Sequence, residues 1–181
     1  AWETMKSRIH LGLDLKGGTH LILQVVTDDA VNVETDQAVE RVKDTLRNRQ
    51  VAFGEVRKRD LRHIEIREVD PAKISEVRAM VDEEFRDWDR STLTDAPNST
   101  LMTMKPIVEQ TLRTQSVQQA IQTIRNRVDQ LGVTEPVIQE HGVTTEYSIL
   151  VQLPGVDDPA RVKEIIRSTA MLELKLVEPG N

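Results

Sequence analysis

The chain has no cysteine among its 181 residues. Disulfides and thiolate metal sites are therefore excluded, while the compartment stays open, since periplasmic and cytosolic proteins alike can lack cysteine. Aromatic residues make up only 3% of the sequence, so a core has to be built from Val, Ile, Leu and Met. Little ring surface remains for stacking nucleobases. Positive charge is also short, with 24 Lys and Arg against 30 Asp and Glu and a net charge of −6. That balance argues against a general nucleic-acid binder, which needs an excess of cations to neutralise phosphates. No run of 18 apolar residues is present, so no stretch reads as a membrane span. No signal peptide opens the sequence. The abrupt start at Ala1-Trp2 and the stop at Glu178-Pro179-Gly180-Asn181 read as the edges of an excised fragment.

What is present suits a soluble globular protein of one or two compact domains, with 38% apolar and 30% charged residues. Residues 11–18, Leu-Gly-Leu-Asp-Leu-Lys-Gly-Gly, carry the most information. Ile9, Leu11, Leu13 and Leu15 alternate with His10, Gly12, Asp14 and Lys16, the period-two pattern of a half-buried strand. Gly17 and Gly18 then permit a positive φ or a close backbone approach at a break, ahead of a more continuously apolar strand over 19–26. No Gly-Lys-Ser/Thr follows and no helix opens at the glycines, so this is not a phosphate loop.

An internal duplication organises the rest. Leu46-Arg47-Asn48-Arg49 through Phe53-Gly54 returns as Ile124-Arg125-Asn126-Arg127 through Leu131-Gly132 at an offset of 78 residues. Asp70-Pro71-Ala72-Lys73-Ile74 returns as Asp158-Pro159-Ala160-Arg161-Val162 at an offset of 88. The first copy predicts a strand at 19–26, a helix over 35–50 stopping near Gly54, a hairpin of 55–59 and 63–69, a helix opened by Asp70-Pro71, and a strand at 89–95. The second predicts a strand at 99–104, a helix from about 107 to 131, a hairpin of 135–141 and 147–153, a helix at 158–168 and a strand at 171–177. A doubled βαββαβ string implies an α+β fold of duplicated ferredoxin-like units, as two sandwiches or as one merged sheet with exchanged strands. Polar turn chemistry in 86–98 places the boundary there, giving repeats over 1–95 and 96–181.

Candidate sites weigh toward structure. The triplets Arg47-Asn48-Arg49 and Arg125-Asn126-Arg127 invite a phosphate-binding reading, but consecutive helix residues face different ways and ordinarily meet solvent or local carboxylates. Asp14 beside the double glycine reads as an acceptor for backbone N–H groups at a strand break, and a lone carboxylate makes no acid–base pair. His10, His20, His63 and His141 lack ligand spacing, so no metal site is expected. No serine or threonine sits in a nucleophile elbow. The sequence thus offers no catalytic residues and calls for no cofactor. The acidic segment Thr27–Glu34 would repel phosphate from an acylphosphatase-like loop, and an RNA-binding sheet lacks its aromatic pair. A regulatory small-molecule module on paired ferredoxin-like units is the remaining alternative.

Four stretches together resemble one family. Gly12-Leu13-Asp14-Leu15 with Gly17-Gly18, Arg125 through Gln139, Ile149 through Val156, and Thr169 through Val177 are similar, in order and spacing, to the first large periplasmic domain of SecD. The chain looks like the longer form, with an extra repeat between the first strand and the second Arg-Asn-Arg helix; residues 27–115 match in layout more than in letters. The resemblance implies a non-enzymatic module, mainly the membrane-proximal base, of an inner-membrane subunit that works with SecF and the Sec translocon. It implies assistance to preprotein export by the proton-motive force, acting mechanically and through protein contacts. Unfolded preprotein would be gripped mainly by a head subdomain, and the membrane met only through anchors, both absent here. Gly12, Leu13, Asp14, Leu15, Gly17 and Gly18 would then have a structural or hinge role, and nucleic acid no part.

Overall fold

In the computed structural model the described residues are 17–158, 160–162 and 174–176, the last three by backbone alone. The expected strand at 9–15, with Gly12, Leu13, Asp14 and Leu15, and His10 with it, lie outside the described residues, as does most of the helix expected at 158–168. The elements are β1 (Gly18–Val25), α1 (Asp28–Asn48), β2 (Glu55–Asp60), β3 (His63–Arg67), α2 (Ile74–Glu84), β4 (Trp88–Leu93) and β5 (Ala96–Met104), then α3 (Pro106–Gln130), β6 (Val137–His141), a short 3₁₀ turn (Thr144–Glu146), β7 (Ser148–Pro154) and β8 (Leu174–Leu176).

These elements make an α+β fold with two four-stranded antiparallel sheets, ordered β6-β7-β1-β8 and β2-β3-β5-β4. Two compact units contain them: unit 1 is residues 1–27 with 113–181, and unit 2 is residues 28–112. These units part at 27/28 and 112/113, whereas the sequence repeats divide at 95/96. Residues 86–98 hold β4 and its turn into β5, and the two strands pair from Trp88↔Met104 to Leu93↔Ala96. Their polarity is that of an edge strand, exposed from Asp89 to Thr92, rather than of a linker. The strands that open the two sequence repeats have also changed places. β1, which opens the first repeat, pairs with β7 and β8 of the second; β5, which opens the second, pairs with β3 and β4 of the first. The pairing thus crosses the sequence repeats, within two sheets and not one merged sheet.

In unit 1 the inward row of β1, Thr19, Leu21, Leu23 and Val25, joins Ile149, Val151 and Leu153 of β7 and Ile138 of β6. Val117, Ala120, Ile121, Ile124 and Val128 of α3, spaced three and four apart, close that core. In unit 2, α1 contributes Val31, Ala38, Val39, Val42 and Leu46, and α2 contributes Val77, Met80 and Val81. They cover Val56, Ile64, Ile66, Met102 and Met104 of the sheet, with Phe85 and Trp88 beside them. Both cores are predominantly aliphatic, as the scarcity of aromatics requires.

Three helix boundaries differ from expectation: α2 opens at Ile74 and not at Asp70-Pro71, whose carboxylate accepts the Ala72 N–H at 2.9 Å in the turn before it, and both ends of α1 are moved. α1 begins at Asp28, seven residues before the expected start, because Val31, Thr35 and Ala38 continue its buried stripe. Asp28 and Asp29 suit the positive end of its dipole. It also ends before Gly54: Gln50, at φ 54°, takes the left-handed position after the last turn. In the second repeat α3 runs about one turn further, and there Gly132, at φ 70°, does stand just past the helix end.

Candidate functional site

Of the residues that the sequence singles out, Gly17 and Gly18 stand at one corner of unit 1. β1 and β7 pair in the register Gly18↔Pro154, Thr19↔Leu153 and Leu21↔Val151, so the double glycine lies directly against Leu153-Pro154-Gly155. The two glycines do different things. Gly17 adopts φ 63°, and its carbonyl accepts the Gly155 N–H at 2.9 Å; Gly155 is itself at φ 73°. Gly18 has an ordinary φ, but a Cβ there would lie 3.0 Å from the Leu153 carbonyl oxygen and 3.2 Å from the Pro154 Cα. One glycine supplies the backbone turn and the other the close approach. Thr19, buried, donates its hydroxyl to the Val156 carbonyl and fastens the same corner one residue further on.

The other quoted stretches surround it. Val137 of β6 pairs with Gln152, and β8 pairs with β1 from Leu23↔Leu176 to Val25↔Leu174. Arg125 donates to the Ile138 carbonyl at 3.2 Å, and Arg161 donates to the Leu131 carbonyl at 3.1 Å. The Asp158 carboxylate accepts the Ala160 N–H at 2.9 Å, the capping geometry expected of Asp-Pro-Ala.

The Arg-Asn-Arg triplets do not come together on a ligand. Arg47 pairs with Asp44 at 3.1 Å, Arg49 pairs with Glu84, and Asn48 is exposed. In the second triplet Arg125 holds the β6 carbonyl, Asn126 accepts from Gln122 at 2.8 Å, and Arg127 lies in the last turn of α3. One triplet belongs to each unit. The histidines are also apart: His20 faces Gln152 at 3.1 Å, His63 contacts Asp60 at 2.7 Å, and His141 ends β6. Among the described residues no group of three His, Cys, Asp or Glu side chains could hold a metal ion. A cavity lined by Val117, His141, Val143, Tyr147 and Ser148 in unit 1 has a water-accessible volume of about 10 Å³. That holds about one water molecule, too little for an organic ligand.

The sequence reading missed a carboxylate in unit 2. Glu65, on the open face of β3, is only 4% exposed, beneath three guanidinium groups. Arg57 reaches it at 2.8 Å, Arg67 at 3.4 Å and Arg59 at 3.5 Å. Its hydrogen bond from Arg57 is the main cause that raises the Arg57 pKa above the ordinary value. The cross-strand pairs Glu55↔Arg67 and Arg57↔Glu65 make this a charge ladder that covers the sheet face and its edge strand. The alternation Arg57-Lys58-Arg59 was the available signal, but only the β2–β3 register reveals what the arginines cover.

Three carboxylates of unit 2, Asp60 and Asp82 exposed and Glu76 half-buried, titrate below their usual range. Burial pushes Asp60 up, but the Arg62 N–H, His63 and the His63 N–H outweigh it. A hydrogen bond from Lys73 lowers Glu76, and one from Arg90 lowers Asp82. A native pKa depressed below the unfolded value contributes stability that is fully present above about pH 5 and disappears as pH falls through the native values. Urea titrations followed by Trp88 fluorescence, in a Trp2→Phe background, are expected to show a falling midpoint below about pH 5. A midpoint that holds or rises down to pH 2.5 would contradict this.

The two family models that match the chain include this corner among the residues they cover. Residues 6–29 match the family described as the SecD/SecF GG motif. Residues 117–179 match the N-terminal part of the P1 domain of protein translocase subunit SecDF. The protein translocase subunit SecD of Koribacter versatilis is 52% identical over 180 residues, 97% of this chain and 33% of that protein. The corresponding SecD of Syntrophobacter fumaroxidans is 39% identical over 178 residues, 97% of this chain and 33% of its own. That of Escherichia coli K12 is 36% identical over 167 residues, 92% of this chain and 26% of its own. The chain thus spans about a third or less of the length of these curated relatives, from 26% to 33%. No solved structure matches it. Among the described residues no helix is long and apolar enough to cross a membrane. With the GG motif, the start of the P1 domain and the residues between them all matched in order, the chain belongs to the SecD family of protein translocase subunits.

Proposed function

We propose that this chain is the base of a periplasmic P1 domain in a SecD-type subunit of the inner membrane, assisting preprotein export as a mechanical and protein-binding element. The observation that supports this most is that both family matches fall on residues of one folded unit, where Gly17-Gly18 and Leu153-Pro154-Gly155 lock together. The partners in this reading are a SecF-type subunit and the Sec translocon, with unfolded preprotein held mainly by a head subdomain outside this chain. Proton-motive force enters through membrane helices of the whole protein and reaches this region as movement. The sheet orders favour two ferredoxin-like halves with exchanged opening strands: β8-β1-β7-β6 and β4-β5-β3-β2 each follow the 4-1-3-2 order of a split βαβ arrangement.

The test uses the full-length subunit in an intact translocase. Photocrosslinking residues are placed at exposed Gln139 and Val143 of unit 1 and Arg59 of unit 2, with a secretory precursor stalled in transit. Adducts to translocase subunits or precursor that appear only during active export are the expected result. No export-dependent adduct from any of the positions would overturn the proposal.

A further inference from the structure

We infer that residues 28–112 form an independently folding module inserted between β1 and the part of α3 from Arg113 onward, which can open while unit 1 stays folded. The chain leaves unit 1 at Thr27 and returns at Arg113, and these residues touch: Arg113 Nη1 donates to the buried Thr27 hydroxyl at 2.8 Å. Close termini are the geometry that lets one domain be inserted into another at little cost to the host.

Each sheet is complete within its unit. β2, β3, β4 and β5 all lie between residues 28 and 112, while β1, β6, β7 and β8 all lie outside that range. The two cores have no residue in common. α3 contributes to both, Val108 and Leu112 packing on one core and Val117 through Val128 on the other. The family matches end at residue 29 and resume at 117, close to the two crossing points. The stretch that they skip is unit 2 almost residue for residue.

This conclusion runs against the sequence repeat, and the conflict makes it testable. If folding followed the repeats, β1 and β5 would each tie one repeat to the other's sheet, and the chain would open as one cooperative body. If folding follows the units, each sheet has all its strands and the two bodies open separately.

Native-state hydrogen exchange on the full chain decides between them. Leu46, fully buried in unit 2, and Ile149, fully buried in unit 1, are each replaced by Ala in separate variants. Leu46→Ala is expected to speed exchange of the slowest β3 and β5 amides about a hundredfold, with β1 and β7 amides changing less than about twofold. Ile149→Ala is expected to do the reverse. Should Leu46→Ala melt unit 2 outright, β1 and β7 still keep their protection on this inference. Acceleration of both sets together by either substitution would overturn it.

Discussion

Leu23→Ala is expected to lower the stability of unit 1 by about 3 kcal/mol, whereas Ile22→Ala, one residue earlier, costs no more than about 1 kcal/mol. Leu23 is fully buried on the inward row of β1, opposite Ile149 and Leu176 in its two neighbouring strands. Removing its side chain deletes transfer free energy and leaves a cavity in the middle of a close-packed layer. Ile22 points to the other face, half-buried, beside Leu150. The contrast follows from the two-residue period of a strand, in which a slip of one position exchanges the faces. Urea unfolding followed by exchange of the β1 and β7 amides reads unit 1 specifically, which tryptophan fluorescence cannot, since the chain carries both Trp2 and Trp88. Equal costs for the two substitutions would place β1 in the wrong register.

The local pattern that makes this prediction possible was legible in the sequence. The strand at 19–26, the two hairpins and the helix after Asp70-Pro71 appear close to where the sequence puts them, although 19–26 reads as continuously apolar and only the structure shows its alternating burial. The exchange of β1 and β5 was not legible. Both are apolar strands that occupy equivalent places in a repeat, so each carries the pattern that either sheet needs. The choice between them depends on long-range pairing, which leaves no local mark. Residues 86–98 misled for a related reason: an edge strand meets solvent along much of its length, and Asp89 to Thr92 look like a linker when read alone. At the candidate site, the sequence reading was that the double glycine permits a positive φ or a close approach. Only the β1–β7 register divides those two demands between Gly17 and Gly18.

That division sets the final expectation. Gly18→Val should cost unit 1 about 3 kcal/mol, the upper range for forcing atoms into a packed site. The Cβ alone would stand 3.0 Å from the Leu153 carbonyl oxygen and 3.2 Å from the Pro154 Cα, both backbone atoms that cannot swing aside. The two γ-methyl groups of valine then add to a contact already too short. Gly17→Ala meets nothing within 4 Å, and its cost is the left-handed φ of 63°, about 1 to 2 kcal/mol for a residue with a Cβ. Asparagine tolerates that region well, so Gly17→Asn should recover much of the loss, while Gly18→Asn should not. Chemical denaturation of the four variants, read from the β7 amides, measures the order. If Asn rescued both positions equally, the corner would be held by backbone conformation alone. The close packing of β1 on Leu153-Pro154 would then have no part in why two glycines, and not one, stand at this break.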